Sequence, residues 1–365
     1  SSQGSSIRPQ QMLRGRARLA QASGLSRGHA PSQSHGAGLR VGRAERDIQR
    51  GLLACATAEE LLRAVKWNRS RLTPFHLATA LHRASALCAP ADTELPALLL
   101  DELRQRDLHA FDARGLANVV HAFGKLRIDD RCVLGVVCRH MTNRMAEFNA
   151  QDVANTIYAL SRLRCQSPDD RALVEVACTR ARLALQSFRA QEISNLIYAL
   201  AKLRVRDEAL LDAGSAEARG RLSKFKAQEL SNLIHGLAEL AHRDCAFLDE
   251  FCAHAAQRLP DFSSQGCSNT MYALARLEFR NETLLTAVCW RVRTRGHEFG
   301  AQALSNVLAA AGRLRFWDPS FLRGVAKRLL PPDSLLPGLT AEGLFLCAYG
   351  LSLVLRSKRC APALR

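Results

Sequence analysis

Apolar and polar positions recur in the same order six times along the middle of this chain. Each copy begins with Phe, which we take as position 0, and has apolar residues at +5, +8 or +9, +12 and +15. This spacing puts the apolar side chains on one face of a helix. The six copies start at Phe111, Phe148, Phe188, Phe225, Phe262 and Phe299.

A second amphipathic helix follows the first in every copy, after a short polar link. We expect it to begin at an Asp or Asn, because these side chains accept hydrogen bonds from the free amides of a helix N-terminus. In the last copy Pro319 follows Asp318 and fits the first helical position. The predicted capping residues are Asp130, Asp170, Asp207, Asp244, Asn281 and Asp318.

The distance between successive anchors predicts how these helices are organised. It is 37 residues in every step except one of 40 residues, between Phe148 and Phe188. A fixed period of this size is typical of stacked supersecondary units. The sequence therefore predicts an all-α fold, a right-handed α-solenoid of about eight helical hairpins. That number includes degenerate copies at residues 72–87 and 339–354.

The pattern divides the chain into four parts. Residues 1–50 are predicted to be a disordered basic leader, and 51–110 a degenerate N-terminal capping region. Residues 111–335 hold the six clear hairpins, and 336–365 a degenerate C-terminal capping repeat.

The leader is distinguished by its charge. Residues 1–44 contain seven Arg, eight Ser and no acidic residue, which leaves +10 of the formal net charge of +17 for the rest of the chain. Such a composition is typical of an organellar transit peptide and predicts a mitochondrial protein, with the plastid as the alternative. A basic flexible tail is the simpler interpretation. Because no apolar run approaches 18 residues, no membrane span is expected.

The twelve cysteines follow the repeat and do not form a CxxC pair. Cys138, Cys252 and Cys289 lie at +27, as does Cys178 once a three-residue insertion near Ser167 is removed. Ser or Ala fills this position in the other copies, so it is predicted to be a small, buried packing position with a free thiol. No metal or cofactor is expected.

No constellation of catalytic residues stands out, and an enzyme is not expected. The acidic pairs Asp129–Asp130 and Asp169–Asp170 coincide with the predicted helix caps, and the eleven histidines include no HExxH motif.

One polar stripe runs along the first helix of each repeat. At 100° per residue, positions +3, +7, +10 and +14 lie close together, flanked by small residues at +6, +11 and +13 that would let neighbouring first helices approach closely. The stripe carries Gln, Asn, Tyr or His, and Lys or Arg, in that order. Its members are Gln151, Gln191, Gln228, Gln265 and Gln302 at +3; Asn118, Asn155, Asn195, Asn232, Asn269 and Asn306 at +7; His121, Tyr158, Tyr198, His235 and Tyr272 at +10; and Lys125, Arg162, Lys202, Arg276 and Arg313 at +14.

These residue types point to single-stranded nucleic acid. Amides bond base edges, rings stack on bases and cations meet phosphates. Further arginines lie beside the row at +16, namely Arg127, Arg164, Arg204 and Arg315. If base sequence is recognised, the variable positions +1 and +4 are expected to recognise it.

Alternative interpretations exist for each row of the stripe. The Asn row could be a structural ladder that bonds the backbone of the next repeat. The ring row could be half-buried packing with a polar tip. The cations could be placed at +14 only because a positive charge near a helix C-terminus interacts favourably with the helix dipole.

The repeat, as in FNAQDVANTIYALSRL from Phe148, resembles those of the octotricopeptide and heptatricopeptide proteins and the related FAST-kinase-like, RAP-domain proteins. The resemblance covers about residues 72–354. It implies an organellar α-solenoid that binds single-stranded mRNA or rRNA through the stripe. Its role would be in RNA processing, RNA stability, translation or ribosome assembly. Ribonucleoprotein subunits would be its further partners. No segment resembles a RAP domain, so nuclease activity is not expected. The alternative is a protein-binding scaffold.

Overall fold

Seventeen α-helices and short 3-10 turns form the described part of a computed structural model, which comprises residues 42–89, 91–163, 167–329 and 335–360. The helices of the N-terminal half are α1 (Arg43–Ala54), α2 (Ala58–Trp67), α3 (Pro74–Leu87), α4 (Glu94–Arg104), α5 (Ala113–Leu126), α6 (Arg131–Asn143), α7 (Ala150–Leu163) and α8 (Pro168–Ala184). Those that follow are α9 (Ala190–Leu203), α10 (Glu208–Arg219), α11 (Ala227–Glu239), α12 (Cys245–Gln257), α13 (Ser264–Arg276), α14 (Glu282–Arg295), α15 (Ala301–Arg313), α16 (Pro319–Leu329) and α17 (Ala341–Cys360).

The helices pack in series, as expected for a solenoid. The first helices of successive repeats form one layer, in which α3, α5, α7, α9, α11, α13, α15 and α17 each contact the next. The second helices, from α6 to α16, form the other layer. The all-α solenoid is therefore confirmed. The degenerate copy at 72–87 supplies α3, and the one at 339–354 supplies α17.

The helical hairpins differ from the expected set at both ends. The helix pair α1 and α2 precedes the first expected copy, and α17 is a single helix of 20 residues within the described chain. The leader was predicted to extend to residue 50, but α1 begins at Arg43 because Ile48 and Leu52 bury an apolar face. The leader's remaining residues, 1–41, lie outside the described part.

The Phe anchors and Leu residues build the core between the layers. Each of the six Phe side chains is at most 2 % exposed, and burying one contributes roughly 1.5–3 kcal/mol. A 3-10 turn precedes each Phe and orients it, since the Phe N–H donates to the first carbonyl of the turn at 3.0–3.2 Å. Arginines also join repeats here: Nη1 of Arg144 donates to the Phe111 carbonyl at 2.7 Å, and Nη1 of Arg258 to that of Phe225 at 2.8 Å.

The second helices begin at the predicted caps in all copies but one. Asp130, for example, accepts from the Val133 N–H at 2.9 Å. The assignment of Asp170 was wrong: the cap is Ser167, and Asp170 is the third helical residue of its capping box. The three inserted residues therefore extend α8 at its start by nearly one turn, because Ser167 already lies at the usual cap position, +19.

Five of the first helices, α5, α9, α11, α13 and α15, end in a left-handed residue that is not glycine. At +16, φ is between 52° and 57° in Arg127, Arg204, Ala241, Glu278 and Arg315. The N–H at +17 then donates to the carbonyl at +12, as from Ile128 to Phe123 at 3.0 Å. This is the hydrogen bond of a Schellman motif, which satisfies an orphan carbonyl at the helix end.

Small residues allow the first helices to approach closely, as predicted. A Cβ atom placed on Gly124 would lie 2.8 Å from the Cα of Ala159, and one on Gly312 would lie 2.6 Å from the Gly350 carbonyl oxygen. Because backbone atoms occupy this space, no larger side chain fits without moving the helices apart.

Candidate nucleic-acid interface

The stripe lies on the surface that the first helices share, with exposed edges and a half-buried centre. The five Gln at +3 and the five Lys or Arg at +14 are exposed, whereas the six Asn at +7 and the five Tyr or His at +10 are half-buried. The structure thus brings the predicted residues into four parallel rows, and each row crosses from one repeat to the next.

The amide rows at +3 and +7 remain available for a ligand. Within the described residues, the one side-chain hydrogen bond of the Asn row joins Asn306 Oδ1 to Gln302 Nε2 at 3.1 Å. No Asn of the row bonds the backbone of a neighbouring described repeat, so the ladder interpretation is not supported. Gln228, Asn232, Gln265 and Asn269 line a polar cavity of about 260 Å³ between α11 and α13.

The rings at +10 contact one another in two separate groups. Within the described residues, no ring contact joins Tyr158 to His121 or to Tyr198, and Ala309 replaces the ring in the sixth repeat. Ring centroids lie 6.0 Å apart between Tyr198 and His235 and 5.8 Å apart between His235 and Tyr272. His82 extends the row towards the N-terminus, with its centroid 5.8 Å from that of His121. The site prediction missed His82, although it lies at +10 when residues 72–87 are aligned from Leu72.

The histidines of this row are neutral at physiological pH. Burial lowers the pKa of His121 to about 4, helped by the nearby Lys125 charge. Burial also lowers the pKa of His82 and His235. Neutral imidazoles offer flat faces for stacking, so the positive charge of the stripe comes from the Lys and Arg at +14.

The cations at +14 fall into two groups. Arg162 Nε donates to the Gly124 carbonyl at 3.0 Å, and Arg276 Nε to the Ala238 carbonyl at 2.9 Å, so each also joins its repeat to the preceding one. Lys202 lies over the Tyr198 ring, 5.3 Å from the centroid. Among the described residues, Lys125, Lys202 and Arg313 have no acidic partner within ion-pair distance.

Glu239 interrupts the basic row in the fourth repeat. Its Oε1 accepts from the Tyr272 hydroxyl at 3.1 Å, and its Oε2 lies 3.8 Å from Arg276 Nη2. The acid of one repeat therefore pairs with the cation of the next and lowers the positive charge at the centre of the stripe.

Several side chains at the variable positions +1 and +4 have a structural role. Asp112 Oδ1 accepts from the Gly115 N–H at 2.7 Å, and Glu192 Oε2 accepts from the Arg189 N–H at 2.7 Å. These side chains cap the N-termini of the first helices. They satisfy free amides at the helix start, and recognition of bases by positions +1 and +4 stays a prediction.

The +16 arginines lie at the left-handed ends of the first helices. Arg127, Arg204 and Arg315 are exposed there, next to the +14 cations. Arg164 lies outside the described residues.

The cysteines at +27 are buried, as predicted, and form no disulfide bond within the described residues. Burial raises the pKa of Cys178 and of Cys252 to about 12, so both are protonated packing groups. No cluster of three or more His, Cys, Asp or Glu able to hold a metal ion occurs among the described residues. Within the same residues, no helix combines the length and hydropathy required to cross a bilayer.

Comparison with known families adds to this geometry. Residues 103–319, more than half of the chain, match the family described as RNA-editing substrate-binding complex 6 protein. The chain belongs to this family. No curated protein matches the chain. The matched residues begin in α4 and end at the start of α16, so they include the whole stripe from Asn118 to Arg313.

The family match agrees with the coarser part of the resemblance given above, an RNA-associated helical repeat protein. The specific resemblance to octotricopeptide, heptatricopeptide or RAP-domain proteins stays a prediction.

Proposed function

We propose that this protein binds single-stranded RNA along the stripe of its first helices. The observation that carries the proposal is two groups of rings, in which neighbouring centroids lie 5.8–6.0 Å apart, flanked by amides on one side and by cations on the other. Stacking surfaces beside unpaired cations are typical of proteins that bind single strands with limited sequence preference.

The arrangement supports a repeat-by-repeat mode of binding. Bases would stack on or between the rings at +10, amides at +3 and +7 would bond base edges, and phosphates would meet the cations at +14. At up to one nucleotide per repeat, roughly six to eight nucleotides would be engaged. The interruption at Glu239 would weaken phosphate binding in the middle of this path.

The family description favours a role in RNA processing, within a complex that binds an RNA-editing substrate. The roles in RNA stability, translation or ribosome assembly that the resemblance implied rank lower. The Arg- and Ser-rich residues 1–44 favour import into a mitochondrion, with the plastid as the alternative.

A salt titration with labelled oligouridylate and oligoadenylate tests the proposal. RNA affinity should fall with a log–log slope of about −0.7 for each phosphate contact. Changing Lys125 and Lys202 together to Ala should reduce the slope by about 1.4. These two lysines are chosen because neither bonds the backbone of another described repeat.

The matched control changes Arg139 and Arg182 to Ala on the second helices, which removes the same charge from the other layer. This control should bind RNA as the unmodified protein does. If both pairs of substitutions change RNA affinity equally, the stripe is not the binding surface.

A protein-binding scaffold is the second candidate function. It is favoured by exposed apolar side chains on α17, where Leu344, Phe345 and Leu351 are 47 %, 65 % and 36 % exposed. A scaffold without RNA-binding activity predicts no salt-dependent RNA affinity and no effect of the lysine substitutions.

A further inference from the structure

A large cleft lies beside the C-terminal end of the stripe, where the ends of α13 and α15 meet α17. Its volume is about 1040 Å³, which is ample for a nucleotide-sized ligand. Charged groups and rings line it together, among them Arg313, Arg315, Arg356, Trp317 and Tyr349. Of these only Arg313 belongs to the stripe as predicted.

The charge of the cleft is unbalanced. Its fourth arginine, Arg280, is engaged: Nε pairs with Glu282 at 2.6 Å, and Nη1 donates to the Leu314 and Arg315 carbonyls at 3.1 and 3.0 Å. Among the described residues, neither Arg313, Arg315 nor Arg356 forms an ion pair. Glu278 is the one remaining acid of the lining. Three guanidinium groups therefore share a cleft with one unpaired carboxylate.

Arg313 also differs from its counterparts in other repeats. Arg162 and Arg276 each donate Nε to the carbonyl at +13 of the preceding repeat. The equivalent carbonyl for Arg313 is that of Ala275, and the described structure contains no hydrogen bond between them. All donors of the Arg313 guanidinium are thus available to a ligand.

The rings supply a platform next to these cations. The Tyr349 ring is parallel to the Phe345 ring within 7°, with centroids 5.9 Å apart, and Tyr349 is 38 % exposed. Tyr349 lies at +10 when residues 339–354 are aligned from Leu339. It therefore occupies the ring position of the last repeat and was not among the predicted site residues.

We propose that this cleft binds a nucleotide that carries a terminal phosphate group. The phosphate of an internal RNA nucleotide has a single negative charge. One cation per repeat along the stripe is enough to pair with it. Three unpaired guanidinium groups suit a ligand with two or more negative charges, because guanidinium pairs with phosphate through two parallel hydrogen bonds. The neighbouring rings would stack on its base.

The proposal goes beyond binding along the stripe, which does not distinguish one end of a strand from another. The shared chemistry is a phosphorylated nucleotide, and it has three sources: a 5′-phosphorylated RNA end, a 3′-phosphorylated RNA end, or a free nucleoside phosphate.

The test compares oligouridylates of ten nucleotides that differ only in the chemical groups at their ends. Affinity is measured for strands with hydroxyl ends, with a 5′-triphosphate and with a 3′-phosphate, and UTP alone is titrated in parallel. We expect one phosphorylated form to bind about tenfold more tightly than the hydroxyl-ended strand, or UTP to bind on its own. The ligand that shows this tighter binding identifies which of the three phosphorylated nucleotides the cleft binds.

Arg315→Ala with Arg356→Ala should abolish the preference for the phosphorylated form and lower the affinity for hydroxyl-ended RNA no more than the loss of one +16 arginine elsewhere in the stripe does. The left-handed position tolerates alanine, since Ala241 occupies it in another repeat. Arg204→Ala is the matched control, because Arg204 has the same conformation outside the cleft and its loss should not affect the preference.

Equal affinity for all ends, together with no binding of UTP, would overturn the proposal. So would a preference that survives the double substitution. Neither outcome depends on the stripe, because affinity for the hydroxyl-ended strand is measured separately.

Discussion

The two layers of the solenoid both carry basic side chains, but these side chains have different partners. On the second helices, arginines join neighbouring hairpins through acids: Nη1 of Arg139 lies 2.5 Å from Asp169, and Nη1 of Arg182 lies 3.5 Å from Asp207. On the first helices, Lys125 and Lys202 have no such partner among the described residues. At these four positions, positive charge is therefore neutralised within the protein on the second helices and remains available on the first helices.

The comparison shows why net charge alone does not locate a binding surface. Exposed ion pairs contribute little to stability, typically below about 1 kcal/mol, but they remove charge from the local potential. A surface whose cations lack acids attracts phosphates, whereas an equally Arg-rich surface with paired acids does not. The layers also differ in how closely their helices approach, and this difference gives the largest predicted effect.

Gly124→Ala and Gly135→Ala should change stability in opposite directions. The new Cβ at residue 124 would meet the backbone of Ala159 at 2.8 Å, whereas at residue 135 it would meet Asp169 Oδ2 at 3.2 Å, the movable end of a side chain. We expect a loss of about 2 kcal/mol for Gly124→Ala, from overpacking. Gly135→Ala should gain up to about 1 kcal/mol from helix propensity.

Urea denaturation of both variants checks this difference of about 3 kcal/mol. Equal midpoints for the two variants would mean that the first helices are not packed more tightly than the second helices at these positions.

His235→Ala should weaken RNA binding about tenfold, because a stacking contact contributes roughly 1–3 kcal/mol per base. The control is Trp290→Ala, which removes a ring that is 54 % exposed on the second-helix layer. Fluorescence anisotropy with labelled oligouridylate measures both. A comparable loss in the two variants would contradict the assignment of stacking to the +10 row.

Glu239→Lys should strengthen RNA binding about fivefold at low salt and make the salt slope steeper by about 0.7, since it fills the gap in the basic row. Glu250→Lys makes the same change in net charge on the second-helix layer, where Glu250 lies 3.7 Å from Arg219. It should have little effect. If Glu250→Lys strengthens binding as much, attraction depends on total charge and not on the row.

Acidification should destabilise the protein partly through His121. The folded-state pKa is about 4, below the ordinary value of 6.5, so the unfolded chain binds a proton first as pH falls. The contribution to stability is fully present above pH 6.5 and is lost between pH 6.5 and 4.

His121→Tyr installs the residue found at +10 in three other repeats and removes this titration. The fall in Tm between pH 7 and pH 5 should be about 1–2 °C smaller in this variant than in the unmodified protein. An identical fall would show that His121 does not experience the buried environment that lowers its pKa.

Much of the architecture could be predicted from local pattern. The six Phe anchors, the hairpin in each copy and the exposed edges of the stripe follow from a period of 37 residues and from helical geometry. The cap of α8 could not be assigned in the same way, because Ser167 and Asp170 are both good capping residues and only the position of the inserted turn distinguishes them. The left-handed residue at +16 was also missed, since no glycine marks it.

The sequence by itself determined which side chains share a helix face, because that depends only on the angle per residue. It thereby determined the stack, the core and the four rows of the stripe. Tertiary structure alone decided which charges remain available. For the arginines that join repeats, the partner lies some 25–38 residues away: an acid that neutralises the charge of Arg182, namely Asp207, or a carbonyl that occupies a donor of Arg276, namely that of Ala238. The cleft around Arg313, Arg315 and Arg356 exists for the same reason: the ends of α13 and α15 meet α17, a helix that follows them later in the sequence.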